Sequence, residues 1–252
     1  MPDGQGPRCY AARMDAPFAL PRLSGAPDAS GWTEEVSRYR LTPRAKPMFH
    51  TILDARRIFS EGATATVTTR VADRATEGEL AMTLDVALSS GHLAFLDHFE
   101  GVWKGGVVGK TLERTVGHSR KEHVDFANSP YPFPLATYPD VLIPFVMRGQ
   151  PWNGERRALY SWTCDRFCAR VYYEAKARTT LSVPAGRLEC VPVIMYPDLN
   201  DWVSLGSVLT RLAKPLLPRY DMWFEVDKPH RVGRFEGAFG PPGAPEVVLE
   251  LL

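Results

Sequence analysis

Between residues 63 and 88 apolar side chains return at every second position, and a chain written that way buries one face only as β-strand. Ala63, Ala65, Val67 and Val71 alternate with Thr64, Thr66, Thr68 and Arg70, with Thr69 the exception on the apolar face. After a turn-like stretch at 73–78, Leu80, Met82, Leu84, Val86 and Leu88 alternate with Ala81, Thr83, Asp85 and Ala87, the second arm of a hairpin. Further strands are expected at 93–99, 110–116 and 121–127. Residues 128–153 hold six prolines and no clear period, yet are rich in aromatic and aliphatic side chains, which describes a packed crossing segment and not a linker.

Beyond it the alternation resumes. Ala158, Tyr160, Trp162 and Cys164 share one face of a strand at 157–164. Val171, Tyr173, Ala175, Ala177 and Leu181 share one face of a single long strand. Strands at 187–196, 222–226, 231–239 and 247–252 follow. Segment 51–59 suits a short helix or a bent strand, and 204–214 a short helix. With 22 prolines and 20 glycines along the chain, short elements joined by turns are favoured. The expected fold is all-β: an antiparallel, highly curved sheet or barrel-like sandwich with one or two short helices. An irregular segment at 1–31 precedes a single β domain at 32–252.

Thirty basic against 29 acidic side chains leave a formal charge of +1, which supplies no broad attraction to nucleic acid or acidic membranes. No apolar run approaches the roughly 20 residues of a membrane helix. The first residues carry an early Asp3, prolines and arginines and no secretory apolar run, so a cytoplasmic setting with reduced thiols is expected. Cys9, Cys164, Cys168 and Cys190 show no Cys-x-x-Cys spacing. On one extended strand Cys164 and Cys168 would stand about 13 Å apart, beyond disulfide reach unless the chain bends between them.

Catalytic signatures are weak. Gly105-Gly-Val-Val-Gly-Lys-Thr111 falls one residue short of a phosphate loop, because Lys104 holds the position of its first glycine. There is no Gly-x-Ser-x-Gly elbow around Ser207. A cysteine paired with a distant histidine is less favoured than buried structural thiols. His98 with Glu100, and His123 with Asp125, share strand faces, and the two pairs brought together would suit a divalent ion. Both fall on the polar side of their strands, where solvated surface is the commoner outcome, so neither metal nor cofactor is expected. Asp97 lies between Phe95 and Phe99 on an apolar face; a salt-bridged structural role is favoured over a catalytic one.

The aromatics give the main functional hint. Tyr160, Trp162 and Tyr173 are assigned to inward faces of neighbouring strands, with Trp152, Trp202 and Trp223 at strand ends or loops beside them. Large rings with one polar edge fill cores, and they also line pockets. Indoles near Arg148 point to a ligand-facing mouth, where an arginine fork takes a carboxylate and the rings cover an apolar body.

Tyr138-Pro-Asp-Val-Leu142, the run Thr180-Leu-Ser-Val-Pro-Ala-Gly-Arg-Leu-Glu-Cys190, Trp223-Phe224 and the stretch from Pro229 to Arg234 carry a family likeness. Over residues 130–252 the chain resembles the uncharacterised bacterial domain-of-unknown-function family numbered three-one-zero-eight. Many members look exported, which the first residues here do not match. The resemblance implies an antiparallel β architecture, no agreed catalytic residues, and a hollow suited to an apolar or peptide-like ligand.

Three functions fit these readings. The first is a binding protein for a hydrophobic or peptide-like small molecule, assisting a biosynthetic pathway. The second is a cofactor-free cyclase or isomerase using the same cavity with Asp97 or a buried tyrosine. The third is a module that captures an extended peptide along a sheet edge.

Overall fold

The computed structural model describes residue 23 and residues 25–44, 64–74, 79–89, 94–103, 107–116, 120–125, 137–139, 143–149, 152, 154–164, 167–198, 219–238 and 246–252, with backbone alone at 43, 146 and 149 and over 70–139 and 162–169. Fourteen strands form one sheet: β1 Trp32–Pro43, β2 Thr64–Arg74, β3 Glu79–Ser89, β4 Ala94–Trp103, β5 Val107–Val116, β6 Arg120–Asp125, β7 Thr137–Pro139, β8 Arg157–Cys164, β9 Phe167–Ala175, β10 Thr179–Val183, β11 Gly186–Pro197, β12 Tyr220–Glu225, β13 Val232–Ala238 and β14 Glu246–Leu251. Among the described residues one short helix, α1 Ile143–Val146, runs into a 3₁₀ turn at Met147–Gly149.

The strand order is β6-β5-β4-β3-β2-β1-β14-β13-β12-β11-β9-β8-β7, with β10 paired to the first half of β11. The chain meanders outward from β1 to β6, starts again at the opposite edge and meanders back until β14 pairs with β1. A flat sheet with this many steps of about 4.8 Å would hold its outer strands roughly 60 Å apart. Instead β5 and β7 approach within 8 Å, so the sheet curls strongly without closing. Antiparallel pairing holds throughout the described ladders except at β7 and β8, which are parallel. The expected highly curved antiparallel sheet with a short helix is what the chain forms.

Its core lies on one face. Tyr39 and Leu41 of β1, Ala65 and Val67 of β2, Val171 and Tyr173 of β9, Val193 and Met195 of β11, Met222 and Phe224 of β12, and Val247, Leu249 and Leu251 of β14 are buried there, with Ile143, Phe145 and Met147 from α1 and its turn. The helix and its turn add three buried apolar side chains to that side of the sheet.

Three local expectations change. The long strand expected through Leu181 is two strands: β9 stops at Ala175, Lys176 N–H donates to Pro192 O at 2.8 Å, and β10 opens at Thr179. Alternation continues across the break, so period alone does not reveal it. Cys164 and Cys168 are not four positions along one strand; they belong to β8 and β9 on either side of a hairpin. The packed crossing segment, in which no period marked an element, contains β7 and α1. The helical readings at 51–59 and 204–214, and almost all of the N-terminal segment 1–31, lie outside the described residues.

Gly186, at φ +124°, closes the Pro184–Ala185 turn between β10 and β11 in a backbone conformation that an L side chain rarely adopts. Gly237 is needed for space instead, because a Cβ there would stand 2.5 Å from Cδ1 of Tyr220 and 3.3 Å from Cζ of Phe235. Gly237→Ala is therefore expected to destabilise the fold by about 1–3 kcal/mol, the cost of overpacking, as a lowered midpoint in urea unfolding.

Candidate functional site

A cluster of polar groups is sunk into the core face where β1, the turn after α1 and the β12–β13 loop meet. Arg148 is the middle residue of the 3₁₀ turn and its side chain is only 3% exposed. Its two terminal nitrogens donate to the two oxygens of Glu35, Nη1 to Oε1 at 2.7 Å and Nη2 to Oε2 at 3.0 Å. Nη2 and Nε also donate to the carbonyl of Pro229, at 3.0 and 3.3 Å. This is the bidentate geometry that suits a guanidinium to buried pairing.

β1 sets the other side of the cluster. Glu35, Ser37, Tyr39 and Leu41 alternate along it on the inward face, so the strand presents a polar end and an apolar end to the same interior. Tyr39 hydrogen-bonds Ser37 and its ring lies 6.0 Å from that of Phe145. Burial pushes the Tyr39 hydroxyl up to about 12, against the opposing pull of Arg148.

The β12–β13 loop completes the site. Glu225 accepts two hydrogen bonds from Arg231, both at 2.8 Å, and its carbonyl lies 2.9 Å from Nδ1 of His230. His230 takes a left-handed backbone with φ 59°, and its ring meets the indole of Trp152 edge-on at 5.0 Å. The other side of that indole stacks on Phe224, again at 5.0 Å and 29° between planes. Trp152 keeps part of its surface exposed, yet its Nε1–H is buried and has no acceptor among the described residues.

The predicted site residues are divided by this arrangement. Arg148 and Trp152 do belong together, coupled through the Pro229–His230 turn. Tyr173 is buried in the same core. The fork of Arg148, expected to be open to a ligand carboxylate, is instead committed to Glu35, because an unpaired guanidinium this deeply buried would be costly. Tyr160 is not inward beside Tyr173. It is paired by register with Arg170, whose Nη2 donates to its hydroxyl at 3.3 Å, on the opposite face of the sheet. There Tyr172 donates to Asp198 at 2.7 Å, and the Arg156 guanidinium lies 3.8 Å over its ring. Trp223 occupies the face of β12 opposite Phe224, with Arg234 5.6 Å over its ring. Trp162 stands in register with Cys168 and Pro139, and Trp202 lies outside the described residues.

Other candidates resolve by register. Asp97 stands opposite Arg114, which stands opposite Glu122, in the ladder of β4, β5 and β6. Cys190 is a buried free thiol, and burial pushes it up to about 11, as for a structural cysteine. Among the described residues no three His, Cys, Asp or Glu side chains gather as a metal site, and no helix is long and apolar enough to cross a membrane.

No family model matches the chain, and no curated protein matches it. Solved structures similar in shape include a β-barrel-like protein of the domain-of-unknown-function family DUF1849 from Brucella abortus, 7% identical, covering 86% of this chain and 94% of that one at a TM-score of 0.45. A second is a protein of YmcC-like fold from Bacteroides fragilis, 12% identical, covering 93% and 97% at a TM-score of 0.33. No residue role is carried over from either.

The buried pair predicts a specific asymmetry. Glu35→Ala, which strands Arg148, should cost about 3–5 kcal/mol in chemical unfolding, whereas Glu35→Leu combined with Arg148→Met should recover most of it. Tyr39 predicts an alkaline effect. Its folded value is raised above the ordinary 10.0, so its contribution is complete below pH 10 and is lost as pH rises toward about 12. Between pH 9 and 11.5 the wild type should lose on the order of 2 kcal/mol more than Tyr39→Phe in urea unfolding, the linkage expected for a tyrosine that must stay neutral while folded.

Proposed function

We propose that the protein binds a hydrophobic or peptide-like ligand and assists a cytoplasmic biosynthetic pathway without catalysing a step itself. Trp152 carries the reading. Its indole is packed between Phe224 and His230 and keeps part of its surface exposed. A ligand with an apolar body covers that exposed ring surface, and an apolar peptide side chain has that chemistry. Arg148 serves by fixing the Pro229 carbonyl, and so the turn that places His230.

The enzyme reading draws less support. Tyr39 is pushed away from useful acid–base range by burial, and Nδ1 of His230 is engaged with the Glu225 carbonyl. Capture of a strand at the β6 edge is opposed by its sequence, Arg-Lys-Glu-His-Val-Asp, since charged edges deter pairing.

Native mass spectrometry of freshly purified protein, followed by calorimetric titration of apolar peptides, tests the proposal. Trp152→Ala should weaken binding by about 2 kcal/mol or more, the loss typical of an anchoring aromatic. Unchanged affinity would remove Trp152 from the site, and turnover of a bound peptide without cofactor would make the protein an enzyme.

A further inference from the structure

Arg157 opens β8 on the apolar face of the sheet. It stands opposite Tyr173 on β9, which stands opposite Met195 on β11, and Leu159, two positions along β8, stands opposite Val171. Those four partners all belong to the buried core, and residues opposite in an antiparallel ladder share a face, so Arg157 lies on the core side. Its side chain is only 16% exposed. Arg148 and Arg231 show how this protein otherwise settles a guanidinium, with four hydrogen bonds to Glu35 and Pro229 in the first case and two to Glu225 at 2.8 Å in the second. Among the described residues Arg157 has one partner, Glu155, 3.4 Å from Nη2, and the side chain of that glutamate is 68% exposed. Nε of Arg157 is buried with no acceptor among the described residues. A charge held largely out of water by one long, solvent-facing bond is poorly compensated.

We propose that Arg157 takes the carboxylate of the ligand whose apolar body lies on Trp152, and that this ligand is a short apolar peptide with a free C-terminus. The inference rests on the binding role given above and adds a charge requirement to it. Trp152 packs against the same core that Arg157 faces. The two residues are five positions apart, and a chain of that length spans at most roughly 18 Å when fully extended. Both groups are therefore on one side of the sheet, within reach of an extended peptide of about five residues. The terminal nitrogens of Arg157, and not the covered Nε, meet the carboxylate, whose two oxygens match the guanidinium fork. The long contact to Glu155 is then exchanged for shorter charge-assisted bonds. The arginine fork expected at Arg148, which Glu35 occupies, is in this way supplied nine positions later in the chain.

The test titrates the full-length protein by calorimetry with N-acetylated apolar pentapeptides, each made both as the free acid and as the C-terminal amide. The acid should bind about tenfold tighter than the amide, or more, as for a gained charge-assisted hydrogen bond. Arg157→Gln should remove that difference by weakening the acid alone, Arg157→Lys should restore part of it, and Trp152→Ala should weaken both forms alike. A purely structural arginine is separated by a measurement without peptide. Arg157→Met should leave the thermal midpoint unchanged or raised, because it removes a poorly compensated charge from an apolar face. Equal binding of acid and amide by the wild type, an acid preference that survives Arg157→Gln, or a clearly lowered midpoint for Arg157→Met would overturn the proposal. Equal binding of both forms with a loss on Trp152→Ala strikes Arg157 and leaves the binding role standing, whereas no saturable binding of either form strikes both.

Discussion

β1 joins two meanders that otherwise end in open strands. One edge pairs with β2 from Trp32 to Arg40, and the other pairs with β14 from Tyr39 to Pro43. Without it the outward and returning halves would be separate sheets, each with a long unpaired edge exposed to aggregation. The charged face of the junction is cross-linked as well. Arg40 pairs with Glu250 and Arg234 bridges Glu250 and Glu236, while Arg44 lies 3.3–3.5 Å from carboxylates of Asp221, Glu236 and Glu246 on three successive strands. Individually such half-exposed pairs contribute little. As a network they favour one register between β1 and β14, and a slip of one residue would turn Tyr39 and Leu41 out of the core.

The same strand carries the partner that makes the interior polar at one end. Burying Arg148 and Glu35 together removes two charges from water, a cost that only good geometry offsets. The Pro229 carbonyl supplies the rest of that geometry by accepting from both Nε and Nη2. In consequence β1, the helix turn and the β12–β13 loop are held by one guanidinium, and the loop residue His230 is brought against Trp152. The left-handed backbone at His230 is sustained by its bonds to Asp227 and Glu225. A rigid indole at that place loses little freedom on meeting a ligand, which is the advantage of an anchor prepared in advance.

Aromatic residues that read alike in the sequence therefore have different tasks. Tyr173 fills the core, Trp152 borders it, and Tyr160, Tyr172, Tyr196 and Trp223 lie on the opposite face among arginines. An arginine laid over a ring covers apolar surface while its charge stays hydrated, so these stacks let a sheet keep large rings on its outer face.

Alternation along each strand was legible in the amino acids alone, and with it the antiparallel, strongly curved architecture, because a period of two is a local property of the chain. β1 was missed for the same reason: its inward positions include Glu35 and Ser37, so the period that marks a strand is broken by the groups that pair with Arg148 and Tyr39. The break between β9 and β10 was invisible because apolar residues continue through it. Arg148 and Trp152 stood out as a polar fork beside an indole, but whether that fork faced a ligand or a carboxylate of its own chain depended on Glu35, 113 positions away. Composition and period are written residue by residue, whereas ion pairs and cross-strand rows form only when a tertiary fold sets distant positions side by side, and that step alone decided where this protein's chemistry is gathered.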